Sequence, residues 1–382
     1  MWINKIIVCC FFVMAAASAS AIDFSRVNIS WQYDPLSEIE MRDRVIQKGD
    51  SLMVFIRFRF DSTSKWEIDY LVQPGYESES HCNLAPYRID TLLSADGKAI
   101  VKLTFRKPEE NLLIAKIFKE DAFYYYDIPL RNGSLPYSSI QLVDEEGLPI
   151  FDNYLNTSNF SLTGSGEFYA MQYSEKFGPA DPPMGEMKPL APSILPDTTF
   201  RFSTSVTFED NNFYVIREDS NASSGVIVFK ASPYYPEFKL LGELAASMHY
   251  ILNEPEQKAL RNSRNLKDSF DSFWVKTYTT KFRARNAIRN YFNWIEQANK
   301  RFTDFKQGWK TDRGMIYIVY GVPDEVYRAD GEEEWYYDEG PSFEYSVIST
   351  FFSPRTYALR RRLEHEESWF EFIAAMRRGT ND

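Results

Sequence analysis

Hydrophobic positions follow a period of two in the first part of the chain and a period near 3.6 in the last part. The run Leu52-Met53-Val54-Phe55-Ile56-Arg57-Phe58-Arg59-Phe60 ends in strict alternation. That pattern puts phenylalanines on one face of a strand and arginines on the other. Residues 66–72, 99–105, 112–118 and 122–128 are further short runs of strand character, and Ala95-Asp96-Gly97-Lys98 is a turn between two of them. Residues 139–143, 167–173, 199–208, 213–217 and 225–230 repeat the style. Many short strands separated by turn residues predict a mainly β chain with two tandem β-sandwich (Ig-like) domains, 22–135 and 136–235. Within the second, residues 178–196 hold six of the 19 prolines. Such a segment cannot be a helix or a central strand. It is expected as a long extended loop projecting from the domain, either a plain surface loop or a segment that docks a partner.

From about residue 236 the pattern turns helical. In 256–274, Leu260, Ser263, Leu266, Phe270 and Trp274 recur every three or four residues. In 283–302, Ile288, Tyr291, Phe292, Ile295, Ala298 and Phe302 do the same. Six apolar residues, Met315 to Tyr320, follow a polar turn and stop at Gly321. The run is short, β-branched and aromatic, and has no polar position. It is expected to be the central strand of a small sheet, buried on both faces. Residues 333–337 and 343–347 supply two more strands, and 357–378 a last helix with Leu359, Leu363, Phe370, Ile373 and Met376 on one side. The third domain, 242–382, is thus expected as an α+β unit, a three-stranded antiparallel sheet packed by helices, able to fold alone.

The polar turn reads Gly308-Trp309-Lys310-Thr311-Asp312-Arg313-Gly314. It resembles the signature of the GWxTD-domain family. Phe270, Phe273 and Trp274 upstream resemble that family's aromatic helix end, and Ala298, Asn299 and Phe302 its segment before the signature. Tyr320-Gly321-Val322-Pro323-Asp324-Glu325 and Glu334-Trp335-Tyr336-Tyr337 resemble the two blocks that follow. The resemblance covers roughly residues 245–380 and implies an extracytoplasmic protein of Bacteroidetes-type bacteria. It brings no catalytic mechanism with it.

Residues 1–21 have the layout of a secretory signal peptide: Lys5, an apolar stretch from Ile6 to Met14, and the small residues Ala19-Ser20-Ala21. Cys9 and Cys10 raise the alternative of a lipoprotein signal, but Val8 is not small and the apolar stretch runs past both. Cleavage after Ala21, a soluble mature chain and no transmembrane segment are expected. Loss of Lys5 takes the formal net charge from -11 to -12. An acidic chain of this kind is a poor ligand for nucleic acid or anionic membranes. Cys82 alone would remain, so no internal disulfide is expected and stability rests on core burial. The 24 Tyr and 30 Phe fit β-rich domains.

Candidate chemistry is sparse. HExxH, a nucleophile elbow, a P-loop and a dinucleotide fingerprint are missing from the sequence. His81, His249 and His365 are dispersed, and His81 beside Cys82 lacks an orienting third group. No metal or cofactor is expected, since one mature cysteine does not make a zinc site. Glu332-Glu333-Glu334 with Asp338-Glu339 lacks a calcium-loop pattern, and a solvated strand edge is expected there. Arg360-Arg361-Arg362 and Arg377-Arg378 are expected on the solvated sides and end of the last helix. The candidate site is the signature and its flanks: Gly308, Trp309, Thr311, Asp312, Arg313, Gly314, Gly321, Pro323, Asp324 and Trp335. Asp312 and Arg313 beside an aromatic could recognise a chain terminus or polar ligand. The plainer reading makes Trp309 a core anchor and Thr311 and Asp312 turn formers. Asp61-Ser62-Thr63, Asp90-Thr91-Leu92 and Asp197-Thr198-Thr199 resemble short O-glycosylation sites. The function expected is a non-enzymatic structural or protein-interaction component of a bacterial envelope, with an envelope protein partner. The alternatives are a hydrolase using carboxylates such as Asp312, Asp324 and Glu325, and a carbohydrate-binding module.

Overall fold

Phe58 is buried and Arg59 is exposed, as the alternation at 52–60 requires. The computed structural model describes residues 22–379 apart from 61–64, 79–82, 85–87, 96, 107–109, 120–121, 131–136, 165, 175–176, 186–194, 204–205, 223 and 350–354. The signal segment, His81, Cys82, Asp61-Ser62-Thr63 and residues 186–194 of the Pro-rich stretch lie outside the described residues. The chain falls into two compact units. One takes in Met1–Gln32, Ser37–Arg131 and Arg328–Asp330. The other takes in Tyr33–Leu36, Asn132–Tyr327 and Gly331–Asp382.

The first unit is built from β1 (Ile39–Lys48), β2 (Ser51–Phe60), β3 (Trp66–Gln73), β4 (Asn83–Leu84), β5 (Arg88–Ala95), β6 (Lys98–Arg106), β7 (Leu112–Lys119) and β8 (Ala122–Pro129). They form two four-stranded antiparallel sheets, β1-β2-β6-β5 and β4-β3-β7-β8. Side chains cross between the sheets: Tyr126 on β8 donates to Asp43 on β1 at 2.8 Å, and the Phe60 and Trp66 rings lie 6.1 Å apart. β1 and β5 are strands that the hydrophobic pattern did not reveal. β1 carries Arg42, Asp43 and Arg44 at its middle, and β5 is an edge strand exposed along most of its length. Between β5 and β6, Gly97 has φ 71°, and Asp96 of the turn expected there lies outside the described residues.

The second unit begins with β9 (Gln141–Val143), β10 (Tyr154–Leu155), β11 (Ser161–Thr163), β12 (Phe168–Ser174), β13 (Thr198–Phe202), β14 (Asn212–Arg217) and β15 (Val226–Lys230). Five of them order as β10-β15-β14-β12-β13, with β10 parallel to β15, and β9 pairs with β11. Leu142, Phe168, Phe208, Tyr214, Ile216 and Val228 form the core beneath them.

The remaining elements are α1 (Leu241–Ser247), α2 (Glu254–Arg261), α3 (Leu266–Tyr278), α4 (Lys281–Phe302), α5 (Asp312–Tyr320), β16 (Glu325–Ala329, whose last two residues count with the first unit), β17 (Glu332–Tyr336), β18 (Phe343–Ile348), β19 (Thr356–Leu359) and α6 (Glu366–Arg378). Four expectations fail in this part of the chain. The run Met315 to Tyr320 is helix α5, not a strand, and every residue from Gly314 to Tyr320 is buried. A helix enclosed on all sides is apolar all round, so this run had no period to read. The sheet has four strands, β16-β17-β18-β19, not three. The single helix expected over 256–274 is two. Asn253 caps α2 through the Glu256 N–H, and Asn265 caps α3 through the Asp268 N–H, because asparagine prefers such ends to helix interiors. The helix expected from 357 begins only at Glu366, because 356–359 pairs with β18. Among the described residues no helix is long and apolar enough to cross a membrane.

Candidate functional site: the signature turn and its surroundings

The signature begins where α4 ends. Asn299, fully buried on α4, donates from Nδ2 to the Pro236 carbonyl at 3.0 Å and accepts the Trp309 N–H at 3.1 Å. Thr303 donates to the Asn299 carbonyl at 2.6 Å and accepts the Gly308 N–H at 3.2 Å. These bonds pull the 3-10 turn Gly308–Lys310 onto the back of α4. A Cβ on Gly308 would stand 2.6 Å from the Asn299 Cα and closer still to the Ala298 carbonyl oxygen. A Cβ on Gly314 would strike the Gly308 carbonyl. Both glycines are therefore required by close backbone approach.

Trp309 is 2 % exposed. Its indole N–H donates to Gln307 Oε1 at 2.6 Å, its carbonyl accepts the Tyr250 hydroxyl at 3.0 Å, and its ring meets Tyr250 edge-on at 6.2 Å. Thr311 caps α5 by accepting the Gly314 N–H at 3.0 Å while donating to the Gly308 carbonyl at 2.7 Å. Asp312 accepts the Leu359 N–H on β19 at 2.8 Å and the Arg361 guanidinium at 2.7 Å. The signature thus joins α4, α5 and β19.

Arg361 reaches further. It donates to the carbonyls of Asp181 at 3.0 Å and Pro182 at 3.2 Å, and the Arg362 N–H donates to the Pro183 carbonyl at 3.0 Å. The described start of the Pro-rich stretch is therefore laid against the segment after β19 and does not project; its remainder, 186–194, lies outside the described residues. The arginine triplet is likewise not on a helix. Arg360 pairs with Glu332 and with Glu344 at 3.0 Å, and Arg362 pairs with Glu344. Burial raises the Glu344 pKa, but the two guanidinium hydrogen bonds outweigh it and hold the carboxyl below its ordinary value.

The acidic run departs furthest from expectation. β17 lies inside its sheet, not at an edge, and Glu333 is fully buried. Its carboxylate accepts the Trp335 indole N–H at 2.9 Å and the Tyr33 hydroxyl at 2.8 Å, with Arg313 Nη1 at 3.4 Å. The alternation of β17 puts Glu333 and Trp335 on one inward face. Arg313 lies over Tyr357, 3.4 Å from its ring centre, and 5.0 Å from that of Phe302. Of the remaining candidates, Gly321 ends α5 at φ 84°, Pro323 is buried, and Asp324 accepts the Asp338 N–H at 2.8 Å. The structure brings Trp309, Thr311, Asp312 and Gly314 into one joint, and Arg313 and Trp335 into a second around Glu333. Asn299, Arg361, Glu333 and Tyr33 were not candidates on sequence grounds. An Asp and an Arg 49 positions apart carry no short-range signal.

An α+β unit with a glycine-bracketed turn locked between helix and sheet is the class that this geometry defines. Residues 212–378 match the family model of the GWxTD domain, and the chain carries that domain. The match starts at β14, earlier than the resemblance suggested, so the domain includes the β14–β15 pair. No curated protein and no solved structure gives a match.

Proposed function

We propose that this chain is an exported structural or protein-interaction component of a bacterial envelope, in the periplasm or at the outer membrane, and not an enzyme. The carrying observation is that the signature side chains are engaged in building the domain: Trp309 fills the core, and Asp312 binds β19 and Arg361. The carboxylates weighed for hydrolysis have structural partners of the same kind, Asp324 in the turn to Asp338 and Glu325 at the Tyr327 hydroxyl. The signal-like 1–21 segment supports export and the resemblance supports a Bacteroidetes-type envelope. The two-sheet first unit is read as an Ig-like sandwich, a common carrier of binding surfaces. Thr91 of Asp90-Thr91-Leu92 is exposed on the edge strand β5, as an O-glycan acceptor needs.

The test is cross-linking in intact cells followed by fractionation and mass spectrometry. The expected result is a chain starting at Ile22 in the envelope fraction, reproducibly cross-linked through its C-terminal unit to one envelope protein. A cytoplasmic chain retaining Met1 would contradict the location. Turnover of envelope glycan or peptide that disappears in Asp324→Asn or Glu325→Gln would contradict the non-enzymatic role.

A further inference from the structure

Tyr33 belongs to the second unit, yet the residues on both sides of Tyr33–Leu36 belong to the first. The four residues form no helix or strand: a 3-10 turn ends at Gln32 and β1 begins at Ile39. Only Tyr33 of the four is buried, at 5 % exposed, while Leu36 is 89 % exposed. One side chain therefore anchors the segment, as in peptides held by a single aromatic.

The surroundings of Tyr33 recognise all three parts of that residue. Its ring stacks on Phe302 at 6.0 Å and packs against Trp335 at 5.0 Å. Its hydroxyl donates to Glu333 at 2.8 Å and accepts from Arg313 at 3.3 Å. Its backbone carbonyl accepts the Tyr317 hydroxyl at 2.7 Å. Burial pushes the Tyr317 phenol up to about 12, so it keeps the proton it donates. Glu333 and Arg313 give this pocket two charged groups aimed at one phenol, a costly arrangement for a plain core and an apt one for reading a hydroxyl.

We propose that the pocket formed by Arg313, Glu333, Trp335, Phe302 and Tyr317 is a receptor for a tyrosine presented on an irregular, turn-containing segment, and that the chain's own Tyr33-Asp34-Pro35-Leu36 occupies it as a ligand. This deepens the interaction reading above and rests on it. Phenylalanine would leave the buried carboxylate short of a donor, so the receptor selects tyrosine.

The test uses the full chain carrying Tyr33→Ala and a synthetic peptide of residues 30–38, Ser-Trp-Gln-Tyr-Asp-Pro-Leu-Ser-Glu, titrated calorimetrically. The variant should bind the peptide one to one, at least about tenfold more tightly than the unmodified chain, whose pocket is filled. The same peptide with phenylalanine in place of tyrosine should bind at least about tenfold more weakly. The peptide should also raise the melting temperature of the variant. A folded variant that binds no better than the unmodified chain, or takes both peptides equally, overturns the proposal. So does a variant that fails to fold with and without peptide, because the ring is then an obligatory part of the core. A failed titration alongside a reproducible envelope cross-link would remove the receptor and leave the interaction reading standing.

Discussion

Asp312 serves two donors at once, the Leu359 N–H and the Arg361 guanidinium, and asparagine can replace it toward only one of them. Its amide would then face a guanidinium whose side chain is 9 % exposed. We expect Asp312→Asn to cost about 1–3 kcal/mol in urea unfolding, with most of that loss coupled to Arg361 in a double-mutant cycle with Arg361→Ala. An additive cycle would refute the pairing. His365 adds a pH dependence. Burial against Phe343, at 4.9 Å, holds its imidazole below the ordinary 6.5, with Arg362 acting in the same direction and Glu364 and Glu344 against it. His249 is lowered by burial as well. The unfolded chain then takes up protons first. This contribution is complete above about pH 6.5 and is lost as pH falls from there toward the folded values. Unfolding free energy should drop between about pH 7.5 and about pH 5.5, and an NMR titration should place His365 under its ordinary value. A titration at or above that value would contradict the burial argument. At this scale the sequence was most legible where local chemistry decides: Trp309 as an anchor and Thr311 as a turn former both follow from residue type. Glu333 was misread because its partners, Tyr33 and Arg313, lie 300 and 20 positions away.

Helix α5 shows why elements are harder to read than residues. Its nine residues have weak helix formers at Ile316, Ile318 and Val319, and its start is fixed by one side chain, the Thr311 hydroxyl on the Gly314 N–H. Thr311→Val keeps the shape and removes that acceptor, along with the donor to the Gly308 carbonyl. A loss of about 0.5–2 kcal/mol is expected by denaturant unfolding, with the midpoint moved and the slope kept. No change in midpoint would mean that packing alone holds the helix. The Thr-Asp-Arg-Gly start, expected as a turn into a strand, is the N-terminal cap of this helix. Period-two runs such as β2 and the strong 3.6 period of α4 were legible, because one face of each meets water. α5 and β19 were not. Burial on every side erases the period of the first, and the second is defined by pairing with partners as far as 14 positions away.

At the scale of the whole molecule, the two units differ in what holds them. The first is two sheets facing one another, and it was largely readable as strands and turns. The second combines the five-stranded sheet, the GWxTD helices and the four-stranded sheet, and its structural joint is the signature turn. The Tyr235 and Thr303 hydroxyls share a hydrogen bond, and Asn153 donates to the Thr303 carbonyl at 2.9 Å, so residues before 242 also brace that joint. Hydrogen-exchange mass spectrometry of Trp309→Ala tests the role of the signature as joint most directly. Protection across α4, α5 and β17–β19 is predicted to fall by about 3–5 kcal/mol while β1, β2 and β6 keep theirs. Unchanged protection in α4 and α5, with the variant as stable as the unmodified chain, would contradict it.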